Sequence, residues 1–199
     1  MNRASLWRDK LLPALIIPIA ILLDQLSKHL TVLYLKPIPT LPLIENVLHL
    51  TYRTNTGAAF SIFSAPDQRW IYMTASTVGI LAMLAVFCFY RQLTPLMRYA
   101  LAAIIGGGIG NMIDRIVLGY VIDFIDFCGI WAYVFNGADS AVCIGAGLML
   151  LYVILEIVRE ARAAKQPTAE PSAVEAELDA EAPTEATEAP DAPDEDDHE

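Results

Sequence analysis

Four apolar stretches, each long enough or nearly so to cross a bilayer, leave this 199-residue chain few ways to fold. They run roughly over residues 11–33, 70–90, from near Leu96 into the GGGIG that precedes Asn111, and over 138–158. Hydrocarbon offers a backbone no water, so each stretch must satisfy its own N–H and C=O groups as a helix. The expected fold class is an α-helical integral membrane protein, a four-transmembrane-helix bundle. The first run is too long for a cleavable leader and lacks a small-residue cleavage site, so it reads as an uncleaved span. Cys88, Cys128 and Cys143 show no CxxC spacing and suggest no disulfide framework.

The interruptions carry the information. Asp24 and Lys28, in DQLSK, lie four apart and share a helix face near the end of the first span. They read either as a self-neutralised ion pair or as a polar anchor facing the bundle interior. Prolines over residues 36–42 end that helix. Beyond them Leu48, Leu50 and Tyr52 alternate with His49, Thr51 and Arg53, which predicts a half-exposed strand. Asn55-Thr56-Gly57 supplies a turn, and residues 58–63 are expected to return as a second strand. Residues 116–124 alternate again and are expected to add another. Open strands cannot stand in lipid, so this small sheet belongs in water or against the headgroups.

Residues 106–140 hold four of the ten carboxylates that precede residue 166: Asp114, Asp123, Asp126 and Asp139. Acids beside hydrocarbon are costly and each needs a reason. Asn111, Asp114 and Arg115, at i, i+3 and i+4, line one face where the third span ends; Asp114 reads as a permanently charged structural group neutralised by Arg115. GGGIG lacks the Lys-Ser/Thr of a phosphate loop and reads as close helix packing. Asp139 opens the fourth span, where a helix N-cap is the plain alternative to chemistry. Asp123, in an alternating apolar segment without a nearby Lys or Arg, has no such alternative. Two acids of this kind brought together would share one proton, one activating water and the other protonating a leaving group. Asp126, three residues on, is expected to face the other side of the strand. His29, His49 and His198 are scattered and no HExxH occurs, so neither a metal nor any other cofactor is expected.

Taken in order, DQLSK at 24–28, NTGAAFS at 55–61, GGGIGNMIDR at 106–115, VIDF at 121–124 and FNGADS at 135–140 resemble bacterial lipoprotein signal peptidase, signal peptidase II. The resemblance covers about residues 11–159. It implies four transmembrane helices with a small extracytoplasmic sheet, and removal of the signal peptide from prolipoproteins on the amino side of a diacylglyceryl-modified cysteine. It also implies that Asp123 and Asp139 are the catalytic pair, that Asn55, Asn111, Arg115 and Asn136 bind substrate or order the site, and that Asp24, Lys28 and Asp114 support them. Sensitivity to the cyclic peptide globomycin, a monomeric state, contact with membrane lipid and no nucleic-acid partner are part of the same expectation. One departure is Gly137, where the family more often has a branched apolar residue, which is expected to loosen the approach to Asp139.

Two rival classes use the same ingredients. A small proton- or cation-coupled transporter would spread its acids towards the midplane, often on inverted repeats. A metal-dependent phospholipid transferase would need several aspartates on one helix face. Neither midplane acids nor an inverted repeat is evident, because the key acids sit at span ends. Orientation follows from the basic residues: eight (Arg3, Arg8, Lys10, Arg91, Arg98, Arg159, Arg162 and Lys165) fall on the side that holds both termini, against four on the other (Lys36, Arg53, Arg69 and Arg115). Both termini are therefore expected in the cytoplasm of a bacterial inner-membrane protein, with Asp123 and Asp139 at the outer face. Residues 1–165 form the membrane domain. Residues 166–199 carry 13 of the 23 acidic residues and no Lys or Arg, and are expected to be a disordered cytoplasmic tail.

Overall fold

The computed structural model describes residues 10–38, 40–57 and 69–164. Among the described residues, helices α1 (Leu12–Tyr34), α2 (Arg69–Phe89), α3 (Pro95–Val117) and α4 (Gly137–Ala163) and strands β1 (Leu41–Ile44), β2 (Leu48–Asn55), β3 (Val121–Asp126) and β4 (Val134–Phe135) follow in the order α1-β1-β2-α2-α3-β3-β4-α4. All four helices are long and apolar enough to cross a membrane. Chain contacts separate Met1–Val158 from Arg159–Glu199; in the second unit the described residues continue as helix to Ala163.

The burial pattern is that of a protein solvated by lipid. On α1 the buried side chains are Pro13, Asp24, Lys28 and Thr31, while Leu22 and Leu23 are more than half exposed. Polar inside and leucine outside is unfavourable in water and favourable in hydrocarbon. The central helix is α3, with 61% of its most apolar 18-residue window buried, against 17%, 11% and 6% for α1, α2 and α4. Its glycines explain that position. A Cβ on Gly106 would lie 2.8 Å from the Ala20 Cβ, and one on Gly107 would strike the Ala138 carbonyl oxygen. A Cβ on Gly110 would lie 2.6 Å from Asp24 Oδ2. The GGGIG run thus lets α1 and α4 close on α3, as its small residues predict. Phe87, Leu93, Leu101, Ala102 and Ile105 form an apolar cluster.

The strands form one antiparallel sheet in the order β1-β2-β3-β4. β2 extends the expected alternating segment to Asn55, and Gly57 N–H closes the turn on Asn55 Oδ1 at 3.0 Å. The expected return strand at 58–63 lies outside the described residues, as does the acidic tail. Two short strands, β1 and β4, were not expected; β1 contains Pro42, which an edge strand tolerates.

The alternation at 116–124 gives way to a different structure. Helix α3 runs on to Val117, and the Leu118 and Gly119 N–H groups both return to the Asp114 carbonyl, at 2.7 and 3.2 Å. Gly119 takes φ +87°, a left-handed helix stop that glycine adopts without strain. Ile116 and Val117 are exposed apolar residues of the last helical turn, so their alternation with later residues has no sheet meaning. The strand begins at Val121, and Val121, Ile122 and Asp123 are all buried.

Candidate active site

Asp123 and Asp139 reach one cavity from different elements. Asp123 lies in β3 opposite Arg53 of β2, and Asp139 in the first turn of α4. Both line a cavity of 920 Å³ whose walls include Asn55, Asn111, Arg115 and Phe135 near the sheet, and Ile80, Met83, Ile104 and Val142 along the helices. The polar end therefore continues into an apolar groove.

Two amides join the carboxylates. Asn136 Nδ2 donates to Asp123 Oδ1 at 2.6 Å and to Asn111 Oδ1 at 3.1 Å. Asn111 Nδ2 donates to Asp139 Oδ1 at 2.8 Å. Asn136 also precedes α4: its Oδ1 accepts the Asp139 N–H at 2.9 Å, and its own N–H donates to Asp139 Oδ2 at 3.2 Å. This is a reciprocal capping arrangement, so the N-cap is Asn136 and Asp139 is its third-position partner. The reading of Asp139 as the cap itself is corrected by three residues.

Asp123 is 4% exposed, and burial pushes its carboxyl up to about 7, with the neighbouring Asp139 charge adding to the effect. Hydrogen bonds from Asn136 and Asn55 and the Lys28 charge pull the other way. An acid of this kind keeps its proton up to about pH 7, where an ordinary carboxylate is already bare.

Behind the amides lies a buried ionic cluster. Lys28 Nζ donates to Asp24 Oδ2 at 2.8 Å and to Asn111 Oδ1 at 3.0 Å, and lies 3.0 Å from Asp114 Oδ2. Asp24 Oδ1 accepts the Ala138 N–H at 2.8 Å, which ties α1 to the start of α4. The Ile122 N–H donates to Asp114 Oδ2 at 3.2 Å and anchors β3. Asp24 and Lys28 are thus both a pair and an interior anchor, and the two sequence alternatives merge.

Asp114 departs from expectation, because the cation that faces it at 3.0 Å is Lys28. Arg115 points elsewhere: its Nη2 donates to the Gly57 carbonyl at 3.2 Å and its guanidinium lies 5.4 Å from the centre of the Tyr72 ring. Consecutive helical residues diverge by about 100°, which separates the two side chains. Asp126 is a second correction, since it lines the same cavity as Asp123. Its place in β3 is where the strand pairs with both His49 and Val134, past an irregularity in the β2–β3 register. At Gly137 an added Cβ would meet the Asp24 Cα and the Ser27 hydroxyl at an ordinary 3.4 Å, so the position has room for a side chain that the chain does not carry.

Sequence reasoning passed over Gln25 and Tyr72. Gln25 Nε2 lies 2.9 Å from Asp114 Oδ1 and 3.2 Å from the Gly110 carbonyl, linking α1 to α3. An amide beside an ionised residue within an apolar run was the available signal. Tyr72 donates its hydroxyl to the Thr56 carbonyl at 2.8 Å, and nothing local to Tyr72 announces that. Among the described residues no group of three His, Cys, Asp or Glu side chains is placed to hold a metal ion.

Known proteins share this arrangement of chain. Residues 16–155 match the family model described as signal peptidase (SPase) II. The lipoprotein signal peptidase of Halothermothrix orenii is 42% identical over 139 residues, covering 70% of this chain and 92% of that protein. The Clostridioides difficile protein of the same name is 43% identical over 145 residues, covering 70% and 93%. A bacterial membrane enzyme solved in meso at 2.3 Å resolution superposes with a TM-score of 0.66 at 26% identity, covering 80% of this chain and 94% of that one. A second, at 1.9 Å, gives 0.62 at 28% identity, covering 71% and 91%. Together with the four apolar helices, these likenesses mark a multi-pass membrane protein, and the chain belongs to the signal peptidase II family.

Proposed function

We propose that this chain removes the signal peptide from prolipoproteins, cleaving on the amino side of a diacylglyceryl-modified cysteine, with Asp123 and Asp139 as an aspartyl pair acting on water. The observation that carries the reading is the pair itself. Two carboxylates from β3 and α4 are bridged by Asn111 and Asn136 at one end of a cavity whose other end is apolar. Such a cavity suits a substrate with acyl chains in the bilayer and a peptide bond at its surface.

The chemistry assigns different tasks to the two acids. Asp139 receives N–H donors on both oxygens, from Asn111 and from the Asn136 backbone, at a helix N-terminus that favours negative charge. It serves as the base. Asp123, buried and protonated up to about pH 7, serves as the acid. A water between them gives one proton to Asp139 as its oxygen bonds to the scissile carbonyl carbon. The Asp123 proton then passes to the departing nitrogen as the C–N bond breaks. The products are a carboxylate-ended signal peptide and a free amino group on the lipidated cysteine, and proton exchange with solvent resets the pair. Asn55 and Arg115 order the approach, Arg115 by holding the turn at Gly57. The surplus of basic residues at the span ends on the side of the termini supports an orientation with both termini in the cytoplasm and the site at the outer face. Globomycin is expected to occupy the same cavity.

The test is cleavage of a diacylglyceryl-modified prolipoprotein by purified protein, with products identified by mass spectrometry. A new amino-terminal lipid-modified cysteine is expected, and Asp123→Asn and Asp139→Asn each lower turnover by at least about 100-fold. Cleavage elsewhere, or near-native turnover in either variant, overturns the assignment.

A further inference from the structure

The catalytic assignment leaves Lys28, the buried cation next to the site's amides, without a task. Lys28 is 2% exposed, lies on α1, and touches neither Asp123 nor Asp139 in any bond described above. An ammonium has three N–H donors, and here three acceptors surround it: Asp24 Oδ2, Asp114 Oδ2 and Asn111 Oδ1. Two of these are counter-ions. The third is the amide that bonds Asp139.

That third contact decides which way Asn111 faces. Its Oδ1 receives both Lys28 Nζ and Asn136 Nδ2, so its Nδ2 is left to donate to Asp139. Rotated by 180°, the amide would set N–H against ammonium and oxygen against carboxylate, two repulsive contacts in place of two attractive ones. With Asn111 fixed, Asn136 Nδ2 has an acceptor at Asn111 Oδ1 as well as at Asp123 Oδ1, and its own Oδ1 accepts the Asp139 N–H. The orientation of both amides therefore traces back to one charge on α1.

We propose that Lys28 is a positioning residue for the reaction: through Asn111 its ammonium fixes the two amides whose N–H groups hold Asp139 and Asp123 in place. The proposal rests on the aspartyl-pair reading above and extends it to a residue that touches neither acid. The charged groups facing Lys28 are Asp24 from α1 and Asp114 from α3, with Asp139 of α4 beyond Asn111.

Removing Lys28 alone would strand two buried carboxylates, so the test uses paired variants. K28M/D114N and K28Q/D114N both keep the cluster's net charge at its native value, and they differ in one respect: Gln can donate an N–H to Asn111 and Met cannot. On a lipidated prolipoprotein, K28M/D114N is expected to show a kcat between about 10- and 100-fold below that of K28Q/D114N, with KM within about twofold. The acid limb of its pH profile is expected at higher pH, because a carboxylate that loses a donor holds its proton more tightly. Equal kcat and superimposable profiles for two folded variants overturn the proposal. Should neither double variant fold, N111D reads the same relay, since it keeps the acceptor for Lys28 and loses the donor to Asp139; native kcat there also overturns it. Asp123→Asn and Asp139→Asn run alongside. Activity in those overturns the aspartyl pair itself, whereas inactivity there with equal Met and Gln variants overturns the role of Lys28 alone.

Discussion

Asn136 and Asp139 hold each other twice, backbone N–H to side chain in both directions, at 2.9 and 3.2 Å. The same Asn136 side chain donates to Asp123 at 2.6 Å, so one residue starts helix α4 and aligns the two acids. Asn136→Ala should therefore cost more in turnover than in stability. Loss of a helix cap is worth about 1 kcal/mol, whereas a misaligned pair is expected to lower kcat by about 100-fold. Thermal unfolding and turnover of the variant, measured in the same detergent, check this. A variant that is less stable yet turns over normally would reduce Asn136 to a cap.

The Asp123 carboxyl, pushed up to about 7 from 3.8, binds its proton more tightly in the folded protein than in the unfolded chain. Its contribution to stability is thus full below about pH 4 and is lost as pH rises to about 7. Asp123→Asn removes that dependence. Between pH 5 and pH 8 the variant should gain on the native protein by about 3 kcal/mol at most, because only the two units from pH 5 to about 7 fall in that window, at about 1.36 kcal/mol per unit. In the native enzyme the one-proton form of the pair should fade above about pH 7, giving turnover an alkaline limb there. Melting temperatures of both proteins at the two pH values decide the first point. A gap that stays constant with pH would remove its basis.

Glycine-to-alanine changes separate close packing from spare space. A Cβ at Gly107 would meet the Ala138 carbonyl oxygen and, at 2.9 Å, Val142 Cγ2, pushing the start of α4 off α3. Gly107→Ala is expected to cost about 1–3 kcal/mol and to lower kcat by displacing Asp139. At Gly147 a Cβ would meet nothing within 4 Å, so Gly147→Ala should be neutral or up to about 1 kcal/mol stabilising. Unfolding midpoints in denaturant rank the two, and similar values for both would contradict the helix contact.

Removal of residues 166–199 tests the domain division. The acidic tail supplies none of the groups in the proposed reaction, so the truncated protein should retain turnover to within about twofold and the same substrate preference. A large fall in kcat on lipidated substrate would assign the tail a part in turnover.

The spans were legible because lipid imposes one rule on every residue of a helix, and runs of apolar residues record it directly. Asp123 stood out for the opposite reason, since neither capping nor a neighbouring cation accounts for it, while its pairing with Asp139 rested on the resemblance carried by VIDF and FNGADS. What escaped was decided across elements. Whether Ile116 belonged to helix or strand depended on Gly119, two residues past the helix, accepting a left-handed conformation. Which cation faced Asp114 depended on Lys28, far away in sequence, and adjacency to Arg115 pointed the wrong way. Asp126 lines the cavity together with Asp123 although the two stand three apart in β3, an arrangement that side-chain alternation alone does not express. Gln25 and Tyr72 form bonds whose partners are brought by other elements, so nothing near them in sequence foretold those bonds.

The Asp24–Lys28–Asp114 cluster also bears on how the helices find one another. Alone in the bilayer, α1 carries an acid and a base one turn apart that can neutralise each other, so it can insert unaided. On α3, Asp114 reaches Lys28 only when the helices meet with Gly110 beside Asp24. A slide of one helical turn, about 5.4 Å, would separate Lys28 from Asp114 and Asp24 from Ala138 together. The cluster acts as a detent for docking: three helices can be greasy along their whole length and still have a single depth at which they click into place.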